Sequence, residues 1–511
     1  MATRKSGDSG RTLQAMNFCG KKRKMQKHKK IGLPSSLYKP LNDSDVDEIA
    51  DSALRVLEES GMDVYSDEAL RALDEAGAEV DAEERRVRMP RPMVEDAIAS
   101  NPSSVKLHSR CGDYDAVLEK NRVHYGTGGT AIYVLDPDSG ERRPSRTEDV
   151  VLNARLVQEL DNVHVFTINV FPNEIEDKEE IDLNRFFHAF DNTTRHVMGG
   201  VYSLEGSKKV VKMAETIAGG EDELREEPFV SFITLVISPF KIDDNYGDMT
   251  CYFARKGLPV VVPTEPMCGT TAPVTLAGNV LVHVAETLAG IALVQAVNEG
   301  APGICGSVGS ISDLRTMSNL GGPIERGMIN AAVAQMAQHF ELPLYSTAGT
   351  SDAKDVDVQS AYESAMSSLL VAMSGANYIH DIAGLMESDL TVSYEKMVID
   401  NEILGMCQRV LRGIEVNDEA LGIDQILDRG PGEDYLSAPH TVEHMREEFF
   451  TPNISNRHPR EEYTTDDDAS SRARKFVNKV RQSDASEQLP RDVRGRLIEE
   501  FPSIRPDPGC A

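Results

Sequence analysis

Apolar and polar positions along the chain fall into two alternating rhythms. From about residue 123, short runs that are continuously apolar or β-branched recur at 123–131, 164–170, 196–202, 229–237, 259–263, 303–308, 343–347 and 377–382. Continuous rather than alternating runs are what strands buried on both faces require. Between them apolar residues are spaced three and four apart over 147–160, 178–191, 206–218, 243–256, 275–298, 322–340 and 357–374, with an eighth such stretch at 394–411. That spacing predicts helices. Eight strand and helix units predict an α/β fold, a parallel sheet closed as a (β/α)8 TIM barrel. An open doubly wound sheet fits the same alternation, but eight regular units favour closure.

The segment before the barrel reads differently. A helix is expected at 45–60, with Val46, Ile49, Ala53, Leu54 and Leu57 on one face and Gly61 as its stop. Two more follow at 67–76 and 92–100, the last ended by Asn101 and Pro102. The organisation read from the chain is a basic tail (1–34), an N-terminal helical cap (35–122), the barrel (123–412) and a C-terminal extension (413–511) that wraps it. The length of 511 residues suits a barrel of roughly 250 with attachments.

Charge narrows the partners. The net charge of −29 repels phosphate backbones, so no nucleic-acid partner is expected. Residues 1–30 carry ten Lys/Arg against Asp8 alone, a local +9 that leaves −38 on the rest. The tail is either a docking arm for an acidic partner or an unstructured extension. An acidic remainder of this kind stays hydrated at high salt and suits a salt-loving organism. Cys19, Cys111, Cys251, Cys268, Cys305, Cys407 and Cys510 contain no CxxC pair, which suits a reducing compartment and gives no closed zinc site. No run of about 20 apolar residues is apparent, and the start lacks the apolar core of a signal peptide, so a cytoplasmic protein without a membrane span is expected.

In a parallel barrel, chemistry sits where the strands end. The polar residues there are Tyr125 and the glycines Gly126, Gly128 and Gly129, then Asn169, Ser238, Glu265, Ser307, the stretch from Tyr345 to Asp352, and His380 with Glu387 beyond it. Glu265, between Pro263 and Pro266 after a valine run, is costly to bury unpaired and is the strongest candidate. Asp352 and Lys354 are either substrate contacts or an ion pair ordering a loop. Tyrosine faces such as Tyr125 and Tyr345 can receive a cation. The glycines either make a turn or let the backbone approach a bulky ligand. Cys268, Cys305 and His380 offer a competing arrangement, an open three-ligand zinc site activating a thiol or alcohol for methylation.

Several stretches resemble the trimethylamine methyltransferase family: Tyr125-Gly126-Thr127-Gly128-Gly129, Ala272 to Gly278, Ala285-Glu286-Thr287-Leu288-Ala289-Gly290, Asp352-Ala353-Lys354 and His440-Thr441-Val442-Glu443-His444. Thr391 to Glu395, Ile399 to Ile403 and Leu411 to Glu415 fit it best. The resemblance implies a barrel that moves a methyl group from a methylated amine to cob(I)alamin on a separate corrinoid protein, with no metal held by the chain itself. It implies catalytic roles for Glu265, Asp352 and His380 and substrate contacts from Tyr125, Tyr345, Glu387, Lys354 and Arg315. With a corrinoid as the bulky ligand, Gly126, Gly128 and Gly129 are the expected cofactor-facing backbone, and a homo-oligomer is expected because large barrels commonly associate. Archaeal family members carry pyrrolysine in the region corresponding to 345–354, where this chain has only standard residues. That departure points to the branch acting on quaternary amines such as glycine betaine. A quaternary amine-binding protein without transfer activity is the remaining alternative.

Overall fold

The computed structural model describes residues 31–462, 467–483 and 488–506. Most of the basic tail, Cys19 and Cys510 lie outside the described residues. Every apolar run read as a strand forms one: β1 (Arg122–Tyr125), β2 (Val165–Thr167), β3 (His196–Gly200), β4 (Val230–Ile233), β5 (Val260–Thr264), β6 (Gly303–Ser307), β7 (Leu344–Thr347) and β8 (Tyr378–His380). Neighbours pair in parallel from β2 through β8, and β8 pairs with β1. Leu33–Pro34 adds a short antiparallel ninth strand beside β1. The result is a curled, barrel-like parallel sheet. Its two ends approach each other: Gly126 bridges Val165, and His164 N donates to Tyr125 O at 2.8 Å.

Helices follow the strands: α1 (Thr147–Glu159), α2 (Lys178–Asn192), α3 (Leu204–Ala218), α4 (Asp244–Lys256), α5 (Leu276–Val297), α6 (Ile324–His339), α7 (Val358–Ser374) and α8 (Tyr394–Arg412). Their starts have a local cause. Asp177, Ser203, Asp243, Thr275, Asp357 and Ser393 each cap a helix with a side-chain oxygen. Helix α5 corrects one expectation: by length and composition it could cross a membrane. It is instead a core helix, 83% buried in its most apolar window, and it carries Asn279, His283, Glu286 and Gln295 inside the fold.

Successive side chains of a strand point to opposite faces. One set, Val165, Met198, Val261, Ile304, Tyr345 and Tyr378, clusters inside the curl with Val105, Leu107, Ala116 and Leu118. The latter four belong to the hairpin Ser104–Leu107 and Ala116–Glu119, which covers the amino-terminal end of the sheet, with Val117 O 3.1 Å from His124 Nε2. The cap before the barrel is therefore not all helical. It also contains the strands Met62–Val64, Glu79–Asp81 and Arg86–Arg88, which join Lys241–Ile242 in a four-stranded sheet. At the other end, short strands invisible as periodicity rim the mouth. Tyr133–Leu135, Arg142–Pro144, Leu385–Met386 and Thr391–Ser393 form one small sheet, and Met267–Cys268, Ser310–Asp313 and Ser318–Leu320 another.

Candidate active site

Continuing the inward register past Val261 and Pro263 places Glu265 in the carboxyl-terminal mouth. Its side chain is exposed to solvent yet crowded by protein, as a side chain lining a concavity is. That crowding strips water from the carboxylate and pushes it up to about 7; Arg326 opposes the shift, and Asp389 and Asp381 add to it.

The other charges of the mouth come from β8 and from α6. His380 ends β8, its ring stacked on Tyr345 at 3.8 Å between centroids and 12° between planes. Its Nδ1 is 2.7 Å from Asp381 Oδ1, and its buried Nε2 has no hydrogen-bond partner among the described residues. Asp381 is left-handed (φ 62°), which turns its carboxylate beside His380, and Thr347 Oγ1 donates to its other oxygen at 2.7 Å. Burial alone would raise Asp381, but His380 and Arg326 overcome it and hold the group below its usual range. Arg326, in the first turn of α6, is buried, pairs with Asp389 at 2.9 Å and donates to Thr350 Oγ1 at 2.8 Å. Burial opposes the charge on Arg326, and Asp389, Asp381 and Glu265 more than offset it. Asp389 moves opposite to Asp381, raised by burial despite Arg326.

Asp389 ends a run of three left-handed residues, with Glu387, Ser388 and Asp389 at φ 51°, 55° and 72°. Non-glycine residues in that region cost roughly 1–3 kcal/mol each, so the run must be held from outside. The holders are Asp352, Lys354 and Glu387, for which the sequence left open both a substrate contact and a local structural role. Asp352 Oδ1 accepts from Ser388 Oγ and from Gly321 N, both at 2.7 Å. Glu387 pairs with Arg142 at 2.8 Å and accepts from Thr391 Oγ1 at 2.7 Å. Lys354 donates to the Asp352 carbonyl at 2.5 Å rather than pairing with its carboxylate. Asp352, Lys354 and Glu387 thus order the rim loops.

Two candidates lie elsewhere. Tyr125 is on the outward register of β1, packed among the residues between sheet and helices and stacked on His164 at 5.8 Å, so its face is turned from the mouth. Arg315 sits on a hairpin turn with its side chain 89% exposed, paired to Asp313 at 3.1 Å. The glycines are explained by the sheet itself. A Cβ on Gly126 would stand 2.1 Å from Tyr378 Oη, and one on Gly128 would stand 2.4 Å from Asp381 Oδ1 and 2.6 Å from His380 Nδ1. The zinc arrangement does not assemble. Cys305 follows inward Ile304 and so packs in the outer layer, Cys268 lies in a rim sheet, and His380 points inside.

Asn169, inward on the continuation of β2, is fully buried, and its side-chain amide has no partner among the described residues. Phe171 and Tyr202, two residues beyond the inward positions 169 and 200, pack edge to face at 5.5 Å and are half-buried. A cavity of about 380 Å3 lies at the opposite, amino-terminal end, lined by His108, Arg110, Glu223, Phe229 and Pro490 and remote from these groups.

A family model described as trimethylamine methyltransferase (MTTB) matches residues 6–505. The chain belongs to the trimethylamine methyltransferase family. Trimethylamine methyltransferase MttB of Desulfitobacterium hafniense (strain DSM 10664 / DCB-2) is 36% identical over 366 residues, 72% of this chain and 73% of that protein. The glycine betaine methyltransferase of D. hafniense (strain Y51) is 31% identical over 378 residues, 73% of this chain and 78% of that one. MttB of Methanosarcina thermophila is 32% identical over 365 residues, 71% and 75% respectively. Among solved structures, the Methanosarcina barkeri monomethylamine methyltransferase (MtmB) aligns over 92% of this chain and 94% of that chain, with 14% identity and a TM-score of 0.47.

Proposed function

We propose that this chain takes a methyl group from a quaternary, betaine-like amine and passes it to cob(I)alamin carried on a separate corrinoid protein. Membership of the trimethylamine methyltransferase family supports the reaction class. The observation that carries a cationic donor is the carboxylate-rich mouth: Glu265 and Asp389 are both raised despite Arg326, and Asp381 stands beside them paired to His380. Such a site has an unmet demand for positive charge, and a methylated ammonium supplies it. The half-buried Phe171 offers aromatic surface on the same rim, beside Tyr202, whose ring already carries Arg185 at 5.2 Å, and a cation-to-ring contact contributes about 0.5–2 kcal/mol. The standard residues of 345–354, where archaeal members of the family carry pyrrolysine, agree with a quaternary donor, which releases a neutral tertiary amine without a proton or an added group.

The reduced corrinoid supplies the nucleophile. The chain therefore needs none of its own, and its residues hold and aim the methyl group. Glu265 and Asp389 neutralise the ammonium in the donor complex. His380 is fixed by its stacking on Tyr345 and by Asp381, and it presents an unpartnered Nε2 to whatever polar group the donor carries. Exposed Ile132, Val274, Leu314, Met317 and Leu390 on the loops around the mouth suit the approach of a protein partner. We further infer that the curled sheet is a closed (β/α)8 barrel, an inference supported by the Gly126–Val165 bridge, and that the enzyme works in the cytoplasm.

Calorimetry with glycine betaine and with its carbon isostere 3,3-dimethylbutanoate, which keeps the carboxylate and lacks the ammonium charge, tests the cation claim. Preference for glycine betaine by tenfold or more, reduced in Glu265→Gln, is expected. Equal affinity for the two ligands would contradict it.

A further inference from the structure

Beyond the barrel, residues 413–448 form three short helices that lie on the body without an apolar core. Asp418–Leu421, Ile423–Arg429 and Pro439–Glu448 contain no buried residue. Arg409 and Arg412 of α8 tie the last of them to the barrel through Glu448. What holds the first helix to the third is polar. His440 and His444, one turn apart on Pro439–Glu448, have ring centroids 4.4 Å apart, and His440 Nε2 lies 3.0 Å from the carbonyl of Glu419.

We propose that Glu419, Glu443 and His444 form a divalent metal site of the zinc class, with His440 beside it, that staples this extension together. One ligand atom from each of the three lies within 4.8 Å of the others. Tetrahedral zinc with bonds of about 2.0–2.2 Å sets its ligands roughly 3.3 Å apart, so small side-chain rotations close the site. The nitrogen of His444 that faces Glu419, Nε2, is 3.6 Å from its carboxylate; the two side chains are 33% and 70% exposed, but this nitrogen itself is screened from solvent and has no hydrogen-bond partner among the described residues. A screened imidazole nitrogen beside two carboxylates is suited to a metal ion. The histidine favours a borderline ion such as zinc over magnesium or calcium, which take oxygen ligands. The adjoining cavity of about 480 Å3, lined also by Asp418, Asp424 and Gln425, leaves room for water on the open coordination positions. A segment without a core gains order from such a bridge, as small metal-stapled domains do. The site lies outside the mouth and does not depend on the methyl donor. It departs from the expectation that this chain holds no metal.

The test is zinc titration of the chelator-treated full-length protein, with cobalt(II) absorbance as a second probe and limited proteolysis of 413–448 as a third readout. One zinc equivalent is expected in the wild type. Binding should weaken at least tenfold in His444→Ala and Glu419→Gln and be unchanged in Asp424→Asn, and zinc should slow cleavage of the segment only where the site is intact. Absence of zinc binding by the wild type, or undiminished binding and protection in His444→Ala, would overturn the proposal.

Discussion

Lys396 and Asp400, one turn apart on α8, form a buried ion pair at 2.7 Å with both side chains 2% exposed. Lys396 Nζ also donates to Gly349 O at 2.9 Å and to Ser364 Oγ at 2.6 Å, and Asp400 Oδ2 accepts from Gly384 N at 2.8 Å. The pair thereby fastens the loops that leave β7 and β8 to the helix layer. Removing one partner of a buried pair strands the other charge, which costs about 3–5 kcal/mol. Lys396→Met is expected to lower stability by that amount in denaturant titration, while the double variant Lys396→Met/Asp400→Leu recovers part of the loss. A single variant as stable as the wild type would mean that the pair carries no structural weight.

The position of Glu265 gives a pH dependence. With its carboxyl pushed up to about 7, the group is largely protonated at pH 6 and largely ionised at pH 8. A cation prefers the ionised form, so donor affinity should rise with pH across that window and binding at pH 7 should release protons to buffer. Glu265→Gln should flatten the profile and weaken binding about tenfold or more. Calorimetry in buffers of different ionisation enthalpy reads the proton release directly; affinity that falls as pH rises would contradict the assignment.

Glu286, buried on α5, accepts from Ser238 Oγ and Phe240 N, each at 2.6 Å, and from Thr264, next to Glu265. Burial pushes its carboxyl up to about 6 from an ordinary 4.5, against the pull of those donors. Because the folded value is the higher one, the neutral form favours folding. Its contribution is full below pH 4.5 and is lost as pH rises through 6, a loss of about 2 kcal/mol. Glu286→Gln should therefore gain stability relative to the wild type between pH 4.5 and 7, as read by unfolding at several pH values. A gap that does not change with pH would show that the group does not titrate there.

Gly128 has no room for a side chain, since a Cβ would strike Asp381 and His380. Gly128→Ala should displace those two residues and reduce turnover by at least a hundredfold. The melting temperature should fall as well, because Gly128 is buried and its Cβ would also stand 2.6 Å from the backbone nitrogen of Asp381, so turnover is compared per folded molecule. Unchanged kcat in a folded variant would remove His380 and Asp381 from the reaction.

The eight parallel strands of the sheet, and the helices between them, were legible in the sequence because each is a continuous apolar run followed by a helical period. The rim sheets were not, since strands of two to four residues such as Leu385–Met386 are too short to show alternation. Glu265, His380 and Tyr345 were readable from their places just after, or within, apolar runs. Arg326, Asp381 and Asp389 were missed for different reasons. Arg326 lies in the first turn of a helix, where a charged residue reads as surface, and the side chains of Asp381 and Asp389 are placed by left-handed backbone that no period reports. Tyr125 misled because one residue of register separates the inner face of a strand from the outer one.

The central claim is methyl transfer from a quaternary amine to cob(I)alamin. The most direct measurement mixes the full-length protein with its reduced corrinoid partner and glycine betaine, carnitine or trimethylamine in turn, and follows the absorbance change from cob(I)alamin to the methylated corrinoid. The account predicts turnover with a quaternary donor and at least tenfold less with trimethylamine. Turnover confined to trimethylamine, or absent with every methylated amine, would contradict it.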